Sequence, residues 1–392
     1  MCLVEDEFSS GAAPEPTTSG RLRRWSRAFV RFLIKARREI GSPLILLLSA
    51  VLMQMLAALS PSLTERLYAR SVYPYLVNTL SFFSRHFGFS VAEALICLLL
   101  VVILAGGIRL GLLLYLRPIG RWKRVVASAR FSLWCVAACL WAFLLCFGFN
   151  YQRPLLFDML GFERRAATAQ ELETISSEMI RRINESYDET HATGRVVPGT
   201  EEIIRLLGES YNSVPELSLL PRGEYAPPKP VYFSGFLTRL GISGVYFPFT
   251  AEANYNADVP DFQLPFTMAH EMAHQRGVAR ESEANFVAFL VCVNSSDPFV
   301  RYSGYRNGLG VINELFRVEP EKAKEFVRQL GPGYREDSRR AALFWAKASG
   351  IFGTIGSRVN DLYLRANRVK SGTADYAGVT TLIIGYYLRT LK

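Results

Sequence analysis

Histidine is scarce in this chain, with four in 392 residues, so chemistry that needs imidazole must be built from very few positions. Cysteine offers no substitute. Of the six present, Cys97, Cys135, Cys139 and Cys146 lie in apolar runs, Cys2 is near the start, and Cys292 stands alone in the second half. No CxxC spacing occurs, which excludes a thiolate zinc ribbon, and a lone Cys292 excludes an intrachain disulfide framework in that half. Charge is also thin. Only 20% of residues are Asp, Glu, Lys or Arg, while 50% are hydrophobic. That balance is unusual for a wholly soluble protein and points to a bilayer. The net charge of +10 does not argue for nucleic acid. The arginines crowd before residue 40 and around 117–130, beside apolar runs, where a role in membrane topology explains them. No internal repeat is visible.

What is present begins with a polar, Pro/Gly-rich stretch over residues 1–20, which reads as a disordered tail. A basic amphipathic segment over 21–40 suits an anionic membrane face. It does not read as a cleaved leader, because the first long apolar run starts only near Pro43 and no small-residue cleavage site follows. Three runs, 43–60, 91–116 and 131–149, approach or exceed the roughly 20 residues needed to cross the hydrocarbon core. Lys and Arg are dense before the first run and between the second and third. Between the first and second there are only Arg66, Arg70 and Arg85. The expectation is a cytoplasmic N-terminus, a multi-pass anchor over 42–151, and an extracytoplasmic domain over 152–392.

That second half reads as mainly helical. Thr168 and Glu171 form a capping box ahead of Leu172, Ile175, Met179 and Ile183 on one face. A short helix is expected at 200–209, and a proline-rich loop at 220–230. One or two strands are expected over 231–256, then helices near 264–276, 280–293, 320–330, 336–348 and 356–370. The last apolar stretch is too short to span and is expected to pack on the domain.

Two of the four histidines fall in "FTMAHEMAHQRGVARESEAN", four residues apart. Residues i and i+4 share a helix face, so His270 and His274 can offer two nitrogens to one tetrahedral zinc ion. Glu271 is turned roughly 100° away by the helical period. It can therefore flank the ion and take a proton from zinc-bound water, as in the HExxH arrangement of metallopeptidases. Catalytic zinc needs a third protein ligand. The extended HExxHxxGxxH pattern has Gly277 in place but Arg280 where its third histidine belongs. Glu281, on a second helix that a turn at Gly277 folds back, is the preferred ligand, and Glu283, on another face, is the alternative. Asn285, one turn further on, can accept the second N–H of a ligating imidazole.

HExxH followed by Glu-x-x-Ala-Asn resembles the gluzincin metallopeptidases, including membrane-embedded prenyl-protein and heat-shock-type proteases. That resemblance implies a zincin-like α+β domain with a small sheet, and Glu281 as third ligand. The three spans with "GVYFPFTAEANYN", "HEMAHQRGVARESEAN" and "YSGY" also resemble a family of uncharacterised bacterial membrane proteins known only as a domain of unknown function.

Two further stretches carry alternatives. Residues 241–250 suit an edge strand that pairs with an extended peptide, or a buried strand with Val245, Phe247 and Phe249 inward. Tyr302 and Tyr305 can stabilise an oxyanion through their hydroxyls, or simply pack in the core. The expected function is a membrane-anchored zinc metallopeptidase acting on protein or peptide outside the cytoplasmic membrane, with the bilayer as partner and no nucleic acid. The alternatives are a scaffold with a structural metal, or hydrolysis of a non-peptide amide. An intact Glu271 favours catalysis, since holding zinc needs no base.

Overall fold

The computed structural model describes residues 41–117, 119–163, 165–348, 350–367 and 378–390. The tail and the basic amphipathic segment expected before residue 41 lie outside them. Three described helices are long and apolar enough to cross a membrane: α1 (Gly41–Leu59), α3 (Val91–Leu116) and α4 (Arg121–Cys146). Between the first two, a helical turn (Pro61–Thr64) and a π-helical stretch (Glu65–Val72) lead into α2 (Tyr73–Ser84). Ser90 caps α3 by accepting the Glu93 N–H.

The third span departs from expectation at its start. The helix begins at Arg121 rather than 131, so Arg121, Lys123, Arg124 and Arg130 ride on its first turns instead of forming a loop. Hydropathy marks where lipid begins. Arg, Lys and Ala propagate a helix well before that level.

After the spans come α5 (Ala169–Thr190), opened by the expected Thr168–Glu171 capping box, and α6 (Thr200–Ser213). Strand β1 (Lys229–Val231), a short helix α7 (Ser234–Leu240), and strands β2 (Gly244–Phe247) and β3 (Glu252–Asn256) follow. The sheet thus has three strands where one or two were expected. Its order is β1-β3-β2, with β1 parallel and β2 antiparallel to β3, so β2 is an edge. Tyr246 is the buried residue of β2 while Val245 is 41% exposed, so the inward alternation of Val245, Phe247 and Phe249 is corrected. On an edge strand the buried face is whichever one a helix covers, and here that face carries Tyr246.

The core is helical. Helices α8 (Leu264–Gln275) and α9 (Glu281–Val293) pack on each other and on α10 (Pro298–Gly308), which also packs on α5. Seven consecutive residues of α9, Phe286–Cys292, are fully buried, as expected of a helix enclosed on all sides. Helix α10 was not among the expected elements, and its glycines have poor helix propensity. They serve close packing instead: a Cβ at Gly304 would lie 2.6 Å from the Cβ of Cys292, and one at Gly308 2.6 Å from the Phe289 ring. Beyond it lie α11 (Ile312–Val318), α12 (Pro320–Arg328), α13 (Pro332–Trp345), α14 (Ile351–Ala366) and α15 (Val379–Thr390). As expected, α15 packs on the domain, burying Leu382, Ile383 and Leu388.

Buried polar contacts tie the domain to the spans. The Glu252 carboxylate on β3 accepts the N–H groups of Val91 and Ala92, at 3.1 and 2.7 Å, at the start of α3, and pairs with Lys229 at 2.6 Å. An anion at a helix N-terminus also complements the helix dipole. Arg153 bonds Glu65 at 2.6 Å and the Gly277 carbonyl at 2.8 Å.

Candidate metal centre

Helix α8 ends in a Schellman turn. Gly277 takes φ +80°, its N–H reaches the His274 carbonyl, and the Val278 N–H reaches the Ala273 carbonyl. The turn does two jobs. It brings the first residue of α9, Glu281, back over α8, and it presents the Val278 carbonyl to Nδ1 of His274 at 2.7 Å. One turn along α9, Asn285 Oδ1 lies 2.8 Å from Nδ1 of His270.

These bonds fix the tautomers. A carbonyl oxygen only accepts, so His274 Nδ1 carries the proton and its Nε2 presents a lone pair; Asn285 Oδ1 does the same for His270. The two Nε2 atoms lie 3.0 Å apart, and Glu281 Oε2 is 3.1 Å from the first and 3.6 Å from the second. With both rings neutral, three acceptors converge with no donor between them, so the cluster calls for positive charge at its centre, supplied by a proton or by a metal ion. Atoms bound at 2.0–2.1 Å by a tetrahedral zinc stand about 3.3–3.4 Å apart, and the three separations bracket that. The donor set of two imidazoles and a carboxylate is also one that zinc accepts. The group fits.

The electrostatics agree. Burial opposes protonation of His274, but the Glu281 carboxylate outweighs it and pushes the imidazole up to about 9. Burial also works against ionising Glu281, yet the two imidazoles hold its carboxyl well below the usual range. The cluster favours positive charge at its centre.

Glu271 lies beside this cluster. Burial pushes its carboxyl up to about 7, with Glu281 adding to the rise and the imidazoles opposing it. It accepts the Tyr246 backbone N–H of β2, while its Oε2 is buried with no protein partner. The contact with the edge strand is close. A Cβ on Gly244 would lie 2.5 Å from Glu271 Oε1 and 2.7 Å from its Cγ, so only glycine lets the carboxyl lie against the strand. The Asn256 N–H bonds the Ser243 carbonyl, which sets the ladder's alternation and turns the peptide groups of Gly244 and Tyr246 away from β3.

Of the residues singled out in the sequence, His270, His274, Glu281, Glu271 and Asn285 come together. Glu283 does not: it accepts the Leu156 N–H at 2.8 Å and pairs with Arg280. Tyr302 donates its hydroxyl to Asp337 at 2.9 Å, and Tyr305 sets its ring edge-on to Phe289, so both serve the core. The sequence reading missed Gly244, Val278, Tyr73 and Phe147. Tyr73 donates to the Gln275 carbonyl at 3.0 Å, and the Phe147 ring stands edge-on to His274 with centroids 6.2 Å apart. The paired glycines of "GISG" were the one visible signal. Tyr73 and Phe147 lie too far off along the chain for any spacing rule to reach.

A family model described as "Protein of unknown function (DUF3810)" matches residues 68–384, and the chain belongs to that family. The match takes in the sheet, the His–His–Glu cluster and two of the three span helices. No curated protein and no solved structure matches.

Proposed function

We propose that this member of a family without an assigned activity is a membrane-anchored zinc metallopeptidase with a zincin-like domain, its residues 152–392 lying outside the cytoplasmic membrane. The observation that carries the reading is the convergence of three acceptors, His270 Nε2, His274 Nε2 and Glu281 Oε2, beside a buried carboxyl at Glu271. Zinc held there supplies Lewis acidity, polarising a carbonyl and making water a nucleophile near neutral pH.

The chain's own groups do the rest. Val278 and Asn285 hold the two rings in one tautomer. Glu281 offsets charge. Glu271, buried beside the cluster with its Oε2 free of protein partners, takes a proton from the attacking water and returns it to the leaving amine. The outward peptide groups of β2 run past Glu271, which suits an extended peptide added as a further strand. The Lys/Arg asymmetry supports the orientation.

The test is hydrolysis of a denatured protein by the zinc-loaded chain and its Glu271→Gln variant, with products read by mass spectrometry. The variant should keep its zinc and lose a factor of about 100 or more in rate. Equal rates would remove the enzymatic reading.

A further inference from the structure

Helix α14 carries an apolar face that no described residue covers. Ile351 is 73% exposed, Phe352 48%, Ile355 48%, Val359 62% and Leu362 71%. At 100° per residue these five fall on one arc of roughly 100°, while Thr354, Arg358, Asp361 and Arg365 form the neighbouring polar arc. The helix is not loosely attached. Its inner face buries Leu364 completely, in the cluster that holds Phe147 and Tyr73, and Gly356 lies against the Leu240 carbonyl at the end of α7.

Both attachments lead toward the ends of spans. Phe147 directly follows the last residue of span α4. At the start of span α3, the Glu93 carboxylate accepts the N–H groups of Tyr232 and Phe233, both at 2.8 Å, just ahead of α7. Around that point the surface is aromatic: Phe87, Phe89, Tyr232, Phe233 and Phe236 are each between 46% and 88% exposed. Exposed aromatic rings at the end of a spanning helix are the mark of a membrane–water interface. Helix α14 is thus tied to span α4 through the cluster that holds Phe147, and to span α3 through α7 and the Glu93 contact ahead of it.

We propose that α14 is an interfacial helix: it lies in the outer-leaflet surface with Ile351, Phe352, Ile355, Val359 and Leu362 among the acyl chains, continuing the aromatic surface at Tyr232–Phe236. The occupant of its apolar face is lipid, because the helix is tied to the span ends through the Leu364 cluster and α7, and that face is bordered by Arg358 and Arg365, which suit phosphate headgroups. Arg365 is steadied by Asp361 at 2.6 Å. This surface needs no metal and no hydrolysis, so its failure would leave the enzymatic reading standing.

The test uses the full chain in nanodiscs of phosphatidylethanolamine and phosphatidylglycerol, with the photoreactive residue p-benzoylphenylalanine placed singly at Ile355, Val359 or Thr354. All three side chains are exposed, so none of the replacements removes core packing. After irradiation, mass spectrometry should find lipid adducts at Ile355 and Val359, and only background at Thr354. Adducts equal at all three positions, absent at all three, or made to a second copy of the chain would overturn the proposal.

Discussion

At the scale of single residues, the cluster rests on directed lone pairs. His270 and His274 could be paired from their spacing alone, because a four-residue step and the helical period leave no other arrangement. The same periodicity separated Glu281 from Glu283, and the structure gives the second a different employment at Leu156 and Arg280. The partners that set the tautomers are legible only in part. Asn285 could be read as one turn beyond Glu281, but Val278 acts through its carbonyl, which leaves no trace in residue type. Gly244 is the residue whose role is sharpest and least visible. Gly244→Ala should push the Glu271 carboxyl off the edge strand while touching none of the three metal-facing atoms. Zinc content should stay unchanged while hydrolysis falls by about tenfold or more, since a misplaced base loses much of its contribution. A variant with full activity would show that Glu271 does not work from its place against β2.

At the scale of elements, the turn between α8 and α9 decides whether a site exists. It needs a left-handed residue at 277, and φ there is +80°. Gly277→Ala should cost about 1–2 kcal/mol for the backbone conformation alone. Contact adds to that, since the new Cβ would stand 3.0 Å from the Tyr73 ring. The expected result is a lower unfolding temperature together with weaker zinc binding, because the Val278 carbonyl and Glu281 both move. An unchanged protein on both measurements would mean that the turn does not position the ligands. The helices of the site were readable because their caps and periodicity are local. The sheet was harder, as three-residue and four-residue strands carry too little pattern to separate from loop, and α7 interrupts them with a single short helix. Helix α10 was not among the expected elements; its glycines have poor helix propensity, yet the core requires them for close approach.

At the scale of the whole molecule, the division at residue 152 is chemically porous. Arg153 joins Glu65 of the membrane-side elbow to the Gly277 carbonyl, Tyr73 reaches the end of α8, and Phe147 packs against His274. These contacts link groups 88 or more residues apart, so no local pattern announces them. The spans themselves were plain, because about 20 apolar residues have few other uses. The orientation proposed for them rests on the Lys/Arg bias. A reporter active only in the cytoplasm, fused after Lys392, should give no signal, whereas one fused within the basic stretch at 117–121 should give a strong one. The reverse pattern would put the His–His–Glu cluster inside the cell.

The most direct measurement is zinc per chain after metal removal, reloading and dialysis, for the wild type and for His270→Ala/His274→Ala, Glu281→Gln and Glu283→Gln. About one ion per chain is expected in the wild type and in Glu283→Gln, a clear loss in Glu281→Gln, and none in the double histidine variant, since removing ligands leaves too few bonds to offset dehydration of the ion. Full occupancy in the double variant, or an empty site in Glu283→Gln beside a full one in Glu281→Gln, would contradict the centre described here.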